Sequence, residues 1–186
     1  QLVRRQQREL LGSALLTVLH RGEIVASESH RPGSVRLQEI LQTAEQTPTQ
    51  AASLIRHQIG GLLGVITSQL HLRKIRTFIA VGGDARFAAR QVGRAAEAPG
   101  LFTIELKAFD ALVARCERRS AEELARRHDL SYSDAETVVP ALLVFQGLLH
   151  ATGARRIVVS DASMRDGLVL DLARSVTGRP DEELAR

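Results

Sequence analysis

The hydrophobic positions along the chain follow two periods, which predict strands and helices in alternation. Near the start, the apolar run at residues 11–19, a His-Arg-Gly turn and the alternating segment EIVASESH predict a β-hairpin. Further strands are predicted at residues 77–81, 101–106 and 155–160. Helices are predicted from about residue 35 and at residues 48–71, 85–96, 108–118, 120–128, 133–152 and 164–177. The pattern shows no internal repeat and no linker, so it predicts one domain over residues 1–186.

Three glycines interrupt the long helical segment at residues 48–71. Gly60, Gly61 and Gly64 each lower the stability of a helix relative to other residues. We therefore expect them to allow close packing of this helix against a sheet.

Two of the later helices carry recognisable end signals. Ser120 with Glu123 three residues on has the spacing of a capping box. Ser133 with Glu136 predicts the N-cap of the long helix, and Gly153 its C-cap.

The order of elements predicts an α/β fold. Late alternation of strand and helix favours a layer of parallel strands, to which the opening hairpin adds an antiparallel edge. In open α/β sheets, ligands bind at the carboxyl ends of the strands. Three loops leave predicted strands in this way, at residues 82–84, 160–163 and 32–34.

Composition narrows the range of functions. The chain has 23 Arg but only 2 Lys, a net charge of +4 and few aromatic residues. The arginines are dispersed along the sequence, and no aromatic platform accompanies them, so nucleic acid is an unlikely partner. An excess of this size still permits an anionic ligand.

The cysteine count and the hydropathy of the chain limit the possible metal sites and the expected cellular location. The chain has one cysteine, Cys116, which we interpret as structural, and no Cys/His group has zinc-ligand spacing. Without a signal peptide or a long apolar run, the sequence predicts a cytoplasmic protein with no membrane partner. Both ends look truncated, and we expect a domain taken from a longer chain.

Three segments together resemble a known family. GEIVASESHRPGSVRL, IAVGGDARFAA and RRIVVSDASMRDGLVLDLA are similar, in order and spacing, to motifs of the exopolyphosphatase / guanosine pentaphosphate phosphatase (Ppx/GppA) family. The resemblance spans residues 11–173 and implies an actin-like, ribonuclease-H-like fold. In that fold the chain is the C-terminal half-domain, with a mixed sheet, an antiparallel hairpin edge and helices on both faces.

The resemblance also implies a function and a site. In the complete protein, the terminal phosphoanhydride of polyphosphate or guanosine pentaphosphate is hydrolysed in the cleft between the two halves, with Mg2+ as the metal. The partners implied are the first half-domain and a phosphate-rich anion, and a homodimer is possible. The implied phosphate-binding residues are Gly12, Ser13, Ser34, Arg36, Gly82, Gly83 and Asp84, and those at the cleft or domain contact are Ser160, Asp161 and Arg165.

The family's second half opens with a strand that ends in a glycine-rich motif, and the best fit here, ELLGSALLTVLHRGEI, departs from that pattern. Gly12 and Ser13 match it, but two glycines are replaced by Leu10 and Leu11, and the family's Glu falls on Leu15. Leucine can neither bind a metal nor activate water. No catalytic residue is therefore assigned to this half, and the isolated chain is expected to be inactive.

The second motif departs in charge. The family's Thr is replaced by Asp84, which repels anions and is a good helix N-cap. We expect its carboxylate to cap the following helix and to compete with a ligand for the free N–H groups. In the long helix, Asp134 stands where the family has a basic residue.

Several interpretations stay open. The chain is half of a working phosphohydrolase, a degenerate relative that senses phosphate or nucleotide or contacts a partner, or, least favoured, an Arg-rich binder of nucleic acid. Each candidate residue also has a structural interpretation: a tight turn for Gly82 and Gly83, a helix cap for Ser160 and Asp161, a turn and a helix surface for Ser34 and Arg36, an irregular strand for Gly12 and Ser13, and a solvated helix face for Arg165.

Overall fold

Two sheets and a layer of helices make up the described part of the chain. The computed structural model describes residues 14–21, 23–30, 47–69 and 72–178. The strands are β1 (Ala14–His20), β2 (Glu23–His30), β3 (Phe78–Val81), β4 (Arg94–Ala95), β5 (Leu101–Glu105) and β6 (Arg156–Ser160). The helices are α1 (Pro48–Gln69), α2 (Gly83–Val92), α3 (Leu106–Cys116), α4 (Ala121–His128), α5 (Tyr132–Ala151) and α6 (Met164–Thr177), and a 3-10 turn spans Leu72–Lys74. The predicted helix from Val35 lies outside the described residues.

The predicted hairpin is confirmed. β1 and β2 pair antiparallel, with a bulge at Val18/Leu19 and a hydrogen bond of 3.1 Å between the Thr17 and Ser27 hydroxyls. The two strands form a two-stranded sheet of their own within the described residues. Leu16 is half-buried and packs against the main core, which ties the hairpin to the rest of the domain.

The main sheet is mixed, as predicted, but the hairpin that was expected to form its antiparallel edge is not part of it in the described residues. Its strand order is β3-β6-β5-β4, in which β3 and β6 are parallel while β5 and β4 are antiparallel additions. Helix α2 was expected to reach residue 96 but ends at Val92, because Gly93 adopts an extended conformation (φ −79°, ψ 159°) and leads into β4. The chain thereby forms one more short strand than the sequence predicts.

One face of the main sheet carries the core. Phe78, Ala80 and Val159 are buried beneath the helix layer, in which α2, α3 and α5 pack together. The alternate residues Ile79 and Val81 are 60% and 51% exposed. Among the described helices, none has the length and apolar character that crossing a lipid bilayer requires.

The glycines of α1 do not pack against a sheet. A Cβ added at Gly60, Gly61 or Gly64 would meet nothing within 4 Å among the described atoms. The predicted close packing against a sheet is therefore not found among the described residues, in which all three positions are exposed. Close approach instead occurs at Gly147 of α5, where a Cβ would lie 2.6 Å from Leu63 Cδ1.

The helix ends agree only partly with prediction. The capping box of α4 is confirmed, since the Ser120 hydroxyl accepts from the Glu123 amide (3.2 Å) and the Glu123 carboxylate from the Ser120 amide (2.9 Å). Helix α5 is capped by Ser131 rather than Ser133, through a 3.1 Å hydrogen bond from the Asp134 amide. A serine followed three residues later by an acid occurs at both positions, so the sequence signal was ambiguous.

Gly153 is not the C-cap of α5, which is Thr152 in an extended conformation. Its amide donates instead to the Ile75 carbonyl (2.9 Å). A Cβ at this position would lie 2.8 Å from the Arg73 carbonyl oxygen. The glycine is therefore required for close contact with the turn before β3.

Candidate anion site at the ends of strands β3 and β6

The two candidate loops meet because β3 and β6 are parallel neighbours. Val81 and Ser160 are register partners at the carboxyl ends of these strands. The segments that follow, residues 82–84 and 161–163, therefore leave the sheet side by side. A backbone hydrogen bond of 2.8 Å from the Asp161 amide to the Gly100 carbonyl fixes the second segment to the residue just before β5.

The first loop presents an open helix N-terminus. Gly82 has φ +127°, a conformation that favours glycine, and its carbonyl accepts the first hydrogen bond of α2 from the Arg86 amide (3.0 Å). No side chain caps the helix at this residue. A Cβ at Gly82 or Gly83 would meet no described atom within 4 Å, so the backbone at the start of α2 is open on the side where a side chain would project.

Asp84 does not cap α2, contrary to expectation. Gly82 is the cap, and Asp84 lies within the first turn, where its carboxylate accepts a 3.5 Å hydrogen bond from the Thr137 hydroxyl of α5. Burial raises the pKa of the Asp84 carboxyl above its ordinary value, against the opposing effect of Thr137, and the nearby Asp134 carboxylate raises it further. A hydrogen bond from the backbone amide of Asp84 itself has a smaller, lowering effect on this pKa, so the carboxylate engages one amide of the first turn and places a negative charge near the others.

Arg86 is a cation of this site that the sequence analysis did not single out. Its Nη1 atom is buried and has no hydrogen-bond partner among the described residues. The guanidinium lies close enough to Asp166, in the first turn of α6, to contribute to the lowering of that residue's pKa, although hydrogen bonds from Ser163 are the larger cause. A buried donor without a partner is unusual and points to an acceptor that the described residues do not supply.

The second helix N-terminus at this edge is closed. Ser163 and Asp166 form a capping box in which the Asp166 carboxylate accepts from the Ser163 amide (2.6 Å) and hydroxyl (2.8 Å). The Ser160 hydroxyl accepts from the Ala162 amide (3.1 Å), while the side chain of Asp161 is exposed. The serine-to-acid spacing was visible in the sequence as a capping signal. The N-terminus of α2 is therefore the one that can accept a ligand.

The structure brings one group of the candidate residues together. Gly82, Gly83 and Asp84 lie beside Ser160 and Asp161, and Arg165 is exposed in the first turn of α6. Four of the candidates, Gly12, Ser13, Ser34 and Arg36, lie outside the described residues. Thr137 and Arg86 were missed because only the packing of α5 and the burial of the guanidinium reveal their roles.

Metal ligands are not evident at this site. Within residues 14–21, 23–30, 47–69 and 72–178, no three His, Cys, Asp or Glu side chains are grouped so that they could hold a metal ion. Leu15, at the position where the resemblance expects a glutamate, is 61% exposed on β1. We therefore assign no Mg2+ ligand to the described residues.

Comparison with known proteins finds similar solved structures but no matching sequence. The chain matches no protein-family model and no curated protein sequence. It is similar to the crystal structure of the Aquifex aeolicus member of the Ppx/GppA family, with a TM-score of 0.69 and 15% identity over 88% of this chain and 54% of that chain. An exopolyphosphatase from Cytophaga hutchinsonii gives a TM-score of 0.71 and 18% identity over 91% of this chain and 55% of that chain. An exopolyphosphatase-like protein gives the same TM-score and identity over 89% of this chain and 57% of that chain.

The chain thus spans little more than half the length of these structures. At such identities the likeness establishes the fold. The mixed sheet, the antiparallel hairpin and the surrounding helices are those of the actin-like, ribonuclease-H-like fold. The resemblance predicted from the sequence motifs is confirmed at this level: the chain has the fold of one part of the Ppx/GppA family structures.

Proposed function

We propose that the chain is the second half-domain of a Ppx/GppA-type phosphohydrolase and that it binds a phosphate group of a phosphoanhydride at the N-terminus of α2. The observation that carries the proposal is the open helix start after Gly82, with the unpartnered Nη1 of Arg86 in its first turn. Free backbone amides and the helix dipole both favour an anion there.

Phosphate recognition by this edge has a simple physical basis. The amides of Gly83 and Asp84 precede the first intrahelical hydrogen bond and would donate to phosphate oxygens, in competition with the Asp84 carboxylate for the second amide. The absence of a Cβ at Gly82 permits close approach of the ligand to the backbone. Arg86 supplies a cation whose planar donors match phosphate geometry. These groups would hold a phosphate for attack by water, with the base, and the Mg2+ expected for the family, provided from outside the described residues.

A degenerate relative is the second candidate, and Leu15 favours it. The side chain at this exposed strand position offers no oxygen to a metal or to water. Asp84 adds a charge that opposes an anion. In this case the edge would bind polyphosphate or a guanosine nucleotide for sensing without turnover.

We propose the first half-domain as the partner of this chain. The match covers only 54% and 55% of the Ppx/GppA structures. Within the described part of the chain, α6 has an exposed apolar surface that includes Leu168, Leu172 and Val176 at 65%, 65% and 76% exposure. If this surface instead pairs two copies of the chain, light scattering should show a mass that rises with protein concentration. The double substitution Leu168→Glu with Leu172→Glu should abolish that rise.

Pyrophosphate titration tests the binding proposal. Gly82→Ala should abolish binding, because a Cβ at φ +127° forces the turn to change and costs about 1–3 kcal/mol. Gly178→Ala is the matched control, since Gly178 also has a left-handed φ (+67°) and open surroundings but follows the C-terminus of α6. Both variants should lose stability. Pyrophosphate affinity that survives Gly82→Ala, or that falls equally in the control, would contradict the proposed site.

Phosphate release separates the two candidate functions. The complete two-half protein, incubated with Mg2+ and polyphosphate or guanosine pentaphosphate, should release orthophosphate if it is an enzyme. Binding at the α2 edge without release would establish the degenerate alternative.

A further inference from the structure

A cationic surface on α3 and α4 shares no residue with the strand-end site. Two adjoining shallow cavities of about 610 and 430 Å3 have Arg119 and Glu123 in common in their linings. We call the combined surface the arginine groove. Its guanidinium groups come from two separate segments of the sequence: Arg115, Arg118, Arg119, Arg126 and Arg127.

The lining of the groove does not balance its own charge. Among the described residues, none of the five guanidinium groups forms an ion pair with a carboxylate. Arg119 instead donates to the carbonyl oxygen of Arg115 (2.7 Å). Glu123 is the acidic residue of the lining, and its carboxylate already accepts from the Ser120 amide (2.9 Å) in the capping box of α4. The groove therefore presents a positive charge to which an external acidic group can bind.

The pKa of His128 shows that guanidinium groups from both segments act at one place. Burial is the first cause of its lowered pKa, and the charges of Arg127, Arg119 and Arg115 lower it further. Arg127 belongs to α4, whereas Arg115 lies in the last turn of α3. The two parts of the groove thus form a single region of positive potential.

The floor of the groove is small and apolar. Ala111 and Ala114 line the larger cavity beside Arg115 and Arg118. Ala111, Arg115 and Arg118 are four and three residues apart, so they lie along one face of α3 and the turn that follows it. The alanine methyl groups leave room for another backbone to approach, and the aliphatic stems of the arginines add apolar contact at its sides. A floor of this kind favours a ligand with apolar surface between its charges.

We propose that the arginine groove docks an acidic helix of a partner protein. Carboxylates three or four residues apart on a helix are about 5–6 Å from one another, the spacing at which neighbouring arginines of α3 repeat. Each carboxylate can pair with a guanidinium group in a fork geometry, while small apolar residues between the carboxylates lie on the alanine floor. The described lining has no aromatic side chain, so it offers no stacking surface to nucleic-acid bases. The inference goes beyond the proposed function and does not depend on it.

Fluorescence anisotropy with a labelled synthetic peptide and the full chain tests the docking surface. The probe is about 16 residues long, enough for a helix, and is rich in alanine with glutamates three or four residues apart on one face. The double variant Arg118→Gln with Arg126→Gln removes two exposed cations, one from each cavity. We expect its affinity for the peptide to fall about threefold or more, within the range for two lost surface ion pairs, and to depend less on salt.

The matched control is Arg73→Gln with Arg155→Gln, which removes two exposed arginines outside the groove. It should change the affinity by less than about twofold, because charges beyond a Debye length are largely screened. Ala111→Gln tests the floor without changing the net charge, and Ala111 is exposed, so the fold should tolerate the longer side chain. Peptide affinity should fall in this variant as well, whereas general electrostatic attraction would not respond to it.

Four results would overturn the proposal. Unchanged affinity in the groove variant would exclude these arginines, and an equal loss in the two double variants would show that net charge alone drives binding. A peptide of the same charge whose helix is interrupted by prolines, binding as tightly as the helical probe, would refute a helical ligand. Displacement of the probe by a single-stranded oligonucleotide or by tripolyphosphate at a lower concentration of charge than the unlabelled peptide requires would assign the groove to another class of ligand.

Discussion

Asp84 offers the sharpest perturbation of the proposed phosphate site. Its carboxylate lies in the first turn of α2, and the residue's own amide is among those that would contact the anion. For a carboxylate about 6 Å from a bound anion, the repulsion per unit charge is about 0.7 kcal/mol in water and about 2.8 kcal/mol at the effective dielectric constant of a protein surface. Removing the charge should therefore raise anion affinity by roughly three- to a hundredfold.

Two substitutions separate charge from hydrogen bonding. Asp84→Asn removes the charge and keeps the shape, whereas Asp84→Thr also supplies the hydroxyl found in the family motif. Titration with sulfate, whose charge is constant from mildly acid to neutral pH, should show tighter binding in both. Glu105→Gln is the control, because it removes an equal charge at the opposite end of the sheet. Unchanged sulfate affinity in both Asp84 variants would refute the position assigned to the anion.

The same residue predicts a pH dependence of stability. Because the pKa of Asp84 is raised in the folded chain, the folded state binds its proton more tightly than the unfolded state. Stability contributed by this residue therefore falls as pH rises from the unfolded pKa through the folded one. Asp84→Asn should be more stable than the wild type at neutral pH, and the difference should shrink as pH falls through the raised pKa. A thermal-unfolding difference that grows on acidification would contradict this assignment.

Four further predictions test the packing. Gly153→Ala should lower the free energy of unfolding by about 1–3 kcal/mol, because a Cβ would lie 2.8 Å from a backbone carbonyl oxygen. Gly64→Ala lies in open space within α1 and should raise the free energy of unfolding by about 0.5–1 kcal/mol. Urea unfolding measures both changes. Gln146→Leu should cost about 1–3 kcal/mol in the same assay, because the buried amide donates to Asp110 (2.6 Å) and accepts from a guanidinium of α1 (2.6 Å). Cys116 is buried and its pKa is raised by that burial, so a thiol reagent should modify it slowly in the native chain and rapidly in urea; fast native labelling would refute its structural role.

Local sequence signals predicted most of the elements. Helix α6 begins and ends where its period predicts, at Met164 and Thr177, and the capping box at Ser120 identifies the start of α4. The signals failed where a residue's role depends on its neighbours in the fold. Gly60 and Gly64 look like packing glycines in the sequence, yet only the orientation of α1 against α5 decides which glycine makes the close contact.

In the candidate site too, features set by local sequence could be predicted, whereas features set by tertiary packing could not. Gly82 and Ser160 could be placed at one edge from the sequence, since both follow buried strands and parallel neighbours share an edge. The side chain of Asp84 could not be placed, because its position depends on Thr137 in a helix more than fifty residues later. The buried Nη1 of Arg86 likewise follows from packing that no local pattern specifies.

An NMR titration with sulfate or pyrophosphate shows whether the N-terminus of α2 binds a phosphate-like anion. Binding there should produce saturable shifts of the Gly83 and Asp84 amide resonances, together with the Nη signals of Arg86, while the amides after Ser163 in the closed start of α6 change little. Shifts confined to the arginines of α3 and α4, with the Gly83 and Asp84 amides unmoved, would contradict it.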